Sequence, residues 1–431
     1  MAENENVCYA VSNPRAALAW TTLAFFAGFA GVSAFGPIVP KLKQALDVGP
    51  FLMGILAASP ALTGSLLRIP FGALVDRMGG KTPILILLAL AAAGVAGITL
   101  IFSLGGPPRP AHFPFFLLFG ILCGCGIAVF SVGVPAVSYW YPQRQQGTAL
   151  AVYGGLGNLA PGMFALLLPF LVERLGFTWS YVAWLVALLG MTWLVFARMR
   201  DAPYFQYKEM GMDIDPDALL LACGEELVPT GKAMDSIRRA GADWRTWALT
   251  YFYFITFGGF IALTVWFPTF WVEGFKASLL QAGLLTAAFS LSASLLRVVG
   301  GIAADRLGGL LVAQVAFLVV AAGALTLIAG QGSFLTAFLG QMLLALGMGV
   351  ANAAVFKLVP KFTPKAVGGA AGIIGGLGAF GGFVLPPVMG LFVRMQGESG
   401  YVQGFYVFLG LAASAMILFA ILKRSAAAKL P

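Results

Sequence analysis

The chain has 431 residues, of which 60% are hydrophobic and only 10% charged, with a net charge of +9. Soluble domains carry about a quarter charged residues, so this composition excludes an ordinary soluble fold. The basic residues fall in short loops between apolar runs rather than in one patch, which argues against nucleic acid as a partner.

Runs of about 20 apolar residues, each long enough to cross a ~30 Å hydrocarbon core as a helix, recur from end to end. Lipid offers nothing to bare backbone groups, which favours helices, and the short alternating segments of a barrel are missing. The segment Met1 to Asn6 is polar and has no signal-peptide pattern, so the first apolar run, Ala16 to Pro40, is expected to be a retained helix. In chain order the spans are predicted at 16–40, 51–73, 83–104, 113–140, 147–172 and 176–198, then at 246–272, 278–302, 310–330, 333–358, 367–395 and 401–424. This is an all-α polytopic membrane protein in which the lipid bilayer is the solvent. An even number of spans puts both termini on one side. The loops on that side hold Arg15, Arg77, Lys81, Arg144, Arg306, Lys361, Lys365, Lys423, Arg424, Lys429 and a cluster from Arg198 to Arg245. The opposite loops hold only Lys41, Lys43, Arg109, Arg174, Lys276 and Arg394. The positive-inside rule therefore expects both termini in the cytoplasm.

The polar stretch at the midpoint splits the chain into a six-helix half at 1–198, a cytoplasmic linker at 199–245 and a second six-helix half at 246–431. One short surface helix is expected in the linker, around Asp217 to Leu227. The halves repeat each other. Residues 65–80 read SLLRIPFGALVDRMGG and residues 294–309 read SLLRVVGGIAADRLGG, with nine of sixteen positions identical at an offset of 229. GGLGN at Gly154–Asn158 and GGLGA at Gly375–Ala379 repeat at an offset of 221. Duplicated halves that rock around a midplane site are the signature of secondary transporters.

No acidic residue lies mid-span, whereas Arg68, Arg297 and Lys357 do lie within spans. A charge at the bilayer centre is functional by default, and arginine cannot shed its charge. With no carboxylate at hand, an anion held by the planar guanidinium fork is the natural counter-charge. Arg68 and Arg297 share one repeat position, which places them on opposite walls of a central cavity. Snorkelling to the interface or bonding to helix carbonyls is the structural alternative. Lys357 is near enough to a helix end to snorkel, or to serve in coupling. Cys123 and Cys125 read as packing residues. The sole histidine, His112, sits in a Pro-rich loop, so metal sites and triads are not expected, and neither a cofactor nor an enzyme activity is implied.

The loop Gly72-Ala-Leu-Val-Asp76-Arg77-Met-Gly-Gly-Lys81 resembles the G-x-L-x-D-R-x-G-x-[RK] motif of the major facilitator superfamily, and Gly301, Asp305 and Arg306 keep it in the second half. These six motif residues are read as a gating latch. The glycine-rich strings GGLGN and GGLGAFGGFVLP resemble the two signatures of that superfamily's nitrate/nitrite porter family. The resemblance implies nitrate and nitrite as substrates, with Arg68 and Arg297 clamping the anion. It further implies Asn158, Gly154 and Gly375 at the site, with the rings of Tyr253, Phe257 and Phe130 as its walls. This sequence departs from the pattern at Pro161 and at Ala379, where the repeat of Asn158 has no amide. A monomer carrying nitrate or nitrite by exchange is the leading expectation, ahead of proton symport. A carrier of another small or organic anion, or an anion channel or nutrient receptor, are the alternatives. A site with room only for a small anion would separate the first two.

Overall fold

The computed structural model describes residues 13–104, 108–212, 233–364 and 366–427. Among them there is no strand. Eleven apolar helical runs are long enough to span a membrane: α1 Pro14–Leu46, α2 Pro50–Met78, α3 Lys81–Ser103, α4 Pro110–Ser138, Gln143–Arg198, α7 Trp244–Gly274, α8 Leu279–Leu307, α9 Gly309–Ala329, α10 Phe334–Phe362, α11 Val367–Gln403 and α12 Tyr406–Arg424. The fifth run is two spans. Gly176 takes φ 75° inside it, a backbone only glycine adopts cheaply, and separates α5 (143–175) from α6 (177–198). The twelve-helix layout in two related halves expected from the repeats is therefore present.

Several boundaries differ from the sequence reading. Hydropathy marks where a helix leaves lipid, but the backbone stays helical as far as its hydrogen bonds are cheap. The Gly72–Arg77 motif is accordingly not a loop, because Arg68–Met78 is helical and Gly79, at φ 75°, ends the helix. Its repeat is likewise helical to Leu307 and ends at Gly308, φ 87°. The predicted linker helix near Asp217 lies outside the described residues. The linker's described flanks form short helices at Pro203–Glu209 and Ala233–Gly241. Asp201, which sequence reasoning passed over, caps α3: its Oδ1 accepts the backbone N–H of Gly80 at 2.6 Å and of Lys81 at 2.9 Å.

We call the face carrying the ends of α2, α4, α8 and α10 the terminus side and the opposite face the far side. On the far side the halves touch backbone to backbone. A Cβ on Gly54 of α2 would lie 2.9 Å from the Pro386 carbonyl oxygen of α11, so glycine is what allows this seam to close. On the terminus side the halves stand apart around a cavity of about 600 Å³. It runs from buried Arg68 past Gly72 and Asp76 to the exposed Asp235 and Arg239 of the linker helix. That helix docks on α11, where the Gly369 N–H donates to Ser236 Oγ at 3.1 Å.

Candidate functional site

Arg68 stands at the inner end of the cavity and is fully buried. Its Nε donates to the Gly64 carbonyl one turn back at 3.0 Å, and its Nη1 donates across the seam to the Gly375 carbonyl at 2.9 Å. The carbonyl alternative thus accounts for part of the guanidinium, but Nη2 is buried with no partner. The cation lies 5.0 Å from the centre of the Phe130 ring and 5.1 Å from that of Phe257, within cation–π range.

Arg297 reaches the same ring from the other half. Its guanidinium is 5.9 Å from Phe257 and 6.0 Å from Phe356, and its Nη1 is buried without a partner. The residue is half-buried and does not line the large cavity. Tyr253 and Phe257 stack at 4.9 Å with an interplanar angle of 11°, as their spacing implies. Tyr253 precedes, and Phe257 lies within, a π-helical stretch, Phe254–Gly258, of a kind that interrupts helices mostly at functional places. The Tyr253 hydroxyl is buried and unpartnered.

Asn158 follows Gly157, whose backbone packs against the Phe25 ring. It sits between the helical stretches Gln143–Gly157 and Ala160–Arg198, 2% exposed, and neither atom of its amide has a partner. Ser294, one turn before Arg297, donates to its backbone carbonyl at 2.9 Å and ties α5 to α8. Gly375 lines the cavity, and Gly154 faces the Phe130 ring, 4.0 Å from where a Cβ would be. Three donors from both halves therefore end without acceptors around one aromatic cage, Arg68 Nη2, Arg297 Nη1 and the Tyr253 hydroxyl, and the Asn158 amide is a fourth buried group without a partner. An unsatisfied buried donor costs about 1–3 kcal/mol, and a cluster of them is an unmatched site for an acceptor-rich group.

Three further rings complete the cage and were missed in the sequence. Phe356 makes an edge contact with Tyr253 at 4.8 Å, and Phe29 stacks on Phe257 at 6.2 Å and 3°. Phe25 packs against Phe29 and Phe130 at 5.0 and 5.3 Å. All three were legible through the repeat. Phe25 and Phe29 precede Tyr253 and Phe257 by 228 positions, and Phe130 precedes Phe356 by 226.

The motif residues lie on the terminus side, apart from the cage. Asp76 accepts the hydroxyl of Tyr139, the residue that follows α4, at 2.6 Å and so joins α2 to the end of α4. Its repeat partner Asp305 pairs with Lys357, joining α8 to α10. Lys357 is exposed and is not part of the cavity lining. Arg77 offers its backbone carbonyl to Lys208 of the linker at 3.2 Å, and Gly301 faces Ala353 of α10. Arg306 is exposed.

The Major Facilitator Superfamily profile matches residues 21–281 and again 249–431. The chain is 30% identical over 422 residues to "Probable nitrate/nitrite antiporter NarK1" of Thermus thermophilus, covering 91% of this chain and 88% of that one. It is 28% identical over 400 residues to "Probable nitrate transporter NarT" of Staphylococcus epidermidis, covering 91% and 92%. Among solved structures it superposes on the xylose transporter XylE from E. coli with a TM-score of 0.72 at 14% identity, covering 94% of this chain and 98% of that one, which bears on the fold alone.

Proposed function

The chain belongs to the nitrate/nitrite porter family of the Major Facilitator Superfamily, and we propose that it carries nitrate and nitrite across the cytoplasmic membrane by alternating access, exchanging one for the other. The observation that carries the reading is the set of acceptorless donors from both halves around Phe130, Phe257 and Phe356. A planar anion slots between flat rings and accepts from guanidinium in its own plane. The relatives named for nitrate and nitrite transport support the substrate.

Two cations that share one ring repel each other, so an anion between them favours bringing the halves together. Without the anion, crossing is disfavoured, and that is the logic of exchange. Among the described residues the cage contains no carboxylate; Asp76 and Asp235 line only the outer cavity. This supports exchange over a carboxylate proton relay. The basic loops support a cytoplasmic terminus side, which makes the cavity the inward-facing vestibule and the closed seam the outer gate. Asp76 with Tyr139, and Asp305 with Lys357, then serve as latches within each half that stiffen the inner ends as the halves rock. A single chain is the working unit.

Proteoliposomes loaded with nitrite and given labelled nitrate without a pH gradient test this. Wild type takes up nitrate, while Arg68→Lys and Arg297→Lys, which keep charge and lose the fork, do not. Uptake that requires an imposed proton gradient would replace exchange with symport. A cavity of about 600 Å³ also suits ligands larger than nitrate, and this favours an organic anion as the second reading. It gains ground if nitrate does not move in folded protein and a monocarboxylate does.

A further inference from the structure

Nine residues beyond Phe257 on α7, roughly 13 Å further toward the far side at 1.5 Å per residue, the closed seam holds a second cavity of only about 30 Å³. Lys43 of α1 lines it together with Trp266, Thr269 and Tyr401 of the second half. Lys43 Nζ lies 3.5 Å from a carboxylate oxygen of Glu273 and 3.4 Å from the Tyr401 hydroxyl. Trp266 is 6% exposed, and its indole N–H, which can only donate, is buried with no acceptor. The neighbouring acid, Glu398, is held by Lys276 at 2.8 Å, and both belong to the second half. Glu273 is thus the carboxylate within ion-pair distance of Lys43, and their ion pair crosses between the halves.

When the halves part on this side, that pair must break. Lys43 is then an ammonium without a counter-ion, close to an indole N–H without an acceptor. We propose that Lys43 and Trp266 form a second docking site for small anions at the far mouth, masked by Glu273 in the closed seam. An arriving anion displaces the carboxylate, bridges ammonium and indole, and passes inward to Arg68 and Arg297. In the closed seam the Glu273 carboxylate already occupies the ammonium, so the site forms only as the seam widens. The inference rests on the anion-transport reading above.

The test measures nitrate uptake in oriented proteoliposomes, with nitrate presented separately to each face, for Lys43→Gln, Glu273→Gln and Trp266→Phe. A plain latch is lost equally by removing either charge, so Lys43→Gln and Glu273→Gln would change rates in the same direction. A docking site makes them differ. Lys43→Gln raises the far-side KM by about tenfold, the worth of one charge-assisted hydrogen bond. Glu273→Gln lowers that KM, Trp266→Phe raises it severalfold, and all three leave the near-side KM at the wild-type value. If Lys43→Gln does not fold, Trp266→Phe together with Glu273→Gln carries the test. Parallel effects of Lys43→Gln and Glu273→Gln, or equal effects on both faces, overturn the proposal while wild-type uptake stands. Wild-type protein that moves no nitrate overturns the transport reading instead, and the docking site with it.

Discussion

Gly258 follows Phe257 directly, where α7 meets α11. A Cβ placed there would lie 2.6 Å from Gly381 Cα, 2.7 Å from the Gly378 carbonyl oxygen and 2.9 Å from the Gly381 nitrogen. All three are backbone atoms, so no side chain can swing away. Carbon contacts normally relax to about 3.5–4.0 Å, so Gly258→Ala forces the two helices apart by about 1 Å. Overpacking of this kind costs about 1–3 kcal/mol. The shift also moves the Phe257 ring against Arg68 and Arg297, and a 1 Å misplacement at a site can cost about 10²-fold in rate. Thermal unfolding in detergent should show a lower Tm for Gly258→Ala, and counterflow should show nitrate uptake reduced far beyond that loss of stability. Gly155→Ala is the control, because nothing lies within 4 Å of a Cβ at that glycine. If Gly258→Ala keeps wild-type Tm and uptake, or if Gly155→Ala loses as much, close backbone approach does not position the ring.

Tyr253→Phe removes a buried hydroxyl that has no partner; Tm should hold or rise, while the KM for nitrate rises severalfold, and a fall in Tm with unchanged KM would contradict a role toward ligand. Burial pushes the Asp201 carboxyl above the usual carboxylate range, against the backbone N–H donors of Lys81 and Gly80. The folded protein then holds that proton more tightly than the unfolded chain, so this contribution to stability is complete in acid and lost as pH rises through the raised value. Asp201→Asn keeps an oxygen acceptor and should gain on wild type across that window, which a Tm series against pH would show; a variant that is equal in acid and weaker at neutral pH refutes the sign. Lys357→Gln breaks an exposed pair worth about 0–1 kcal/mol; Tm should barely move, and a displaced pH profile of uptake would mark Lys357 as a coupling group.

The spans and the repeat were legible because lipid imposes length and apolarity on every crossing helix. Arg68 and Arg297 stood out because a charge within a span needs a reason. Phe25, Phe29 and Phe356 went unnoticed because a phenylalanine in a membrane helix is ordinary until the repeat offset is applied to it. The cap by Asp201 and the seat of the 233–241 helix on Gly369 depend on contacts between segments far apart in sequence, which local pattern does not encode. The Gly72–Arg77 stretch read as a loop because its polarity marks the membrane surface, where the helix simply continues into water.

The cage is assembled from pairs: Phe25 with Tyr253, Phe29 with Phe257, Arg68 with Arg297, Phe130 with Phe356 and Gly154 with Gly375. Two positions break the pairing, since Asn158 answers to Ala379 and the Tyr253 hydroxyl has no counterpart on Phe25. Nitrate and nitrite each possess a two-fold axis in the molecular plane, so either can lie along the pseudo-dyad that relates the halves and offer the two arginines equivalent oxygens. A fully symmetric cage would hold such an ion indifferently to a half-turn. The amide from the first half and the phenol from the second make the two sides unlike, so two oxygens that are equivalent in the free ion face different surroundings in the seat.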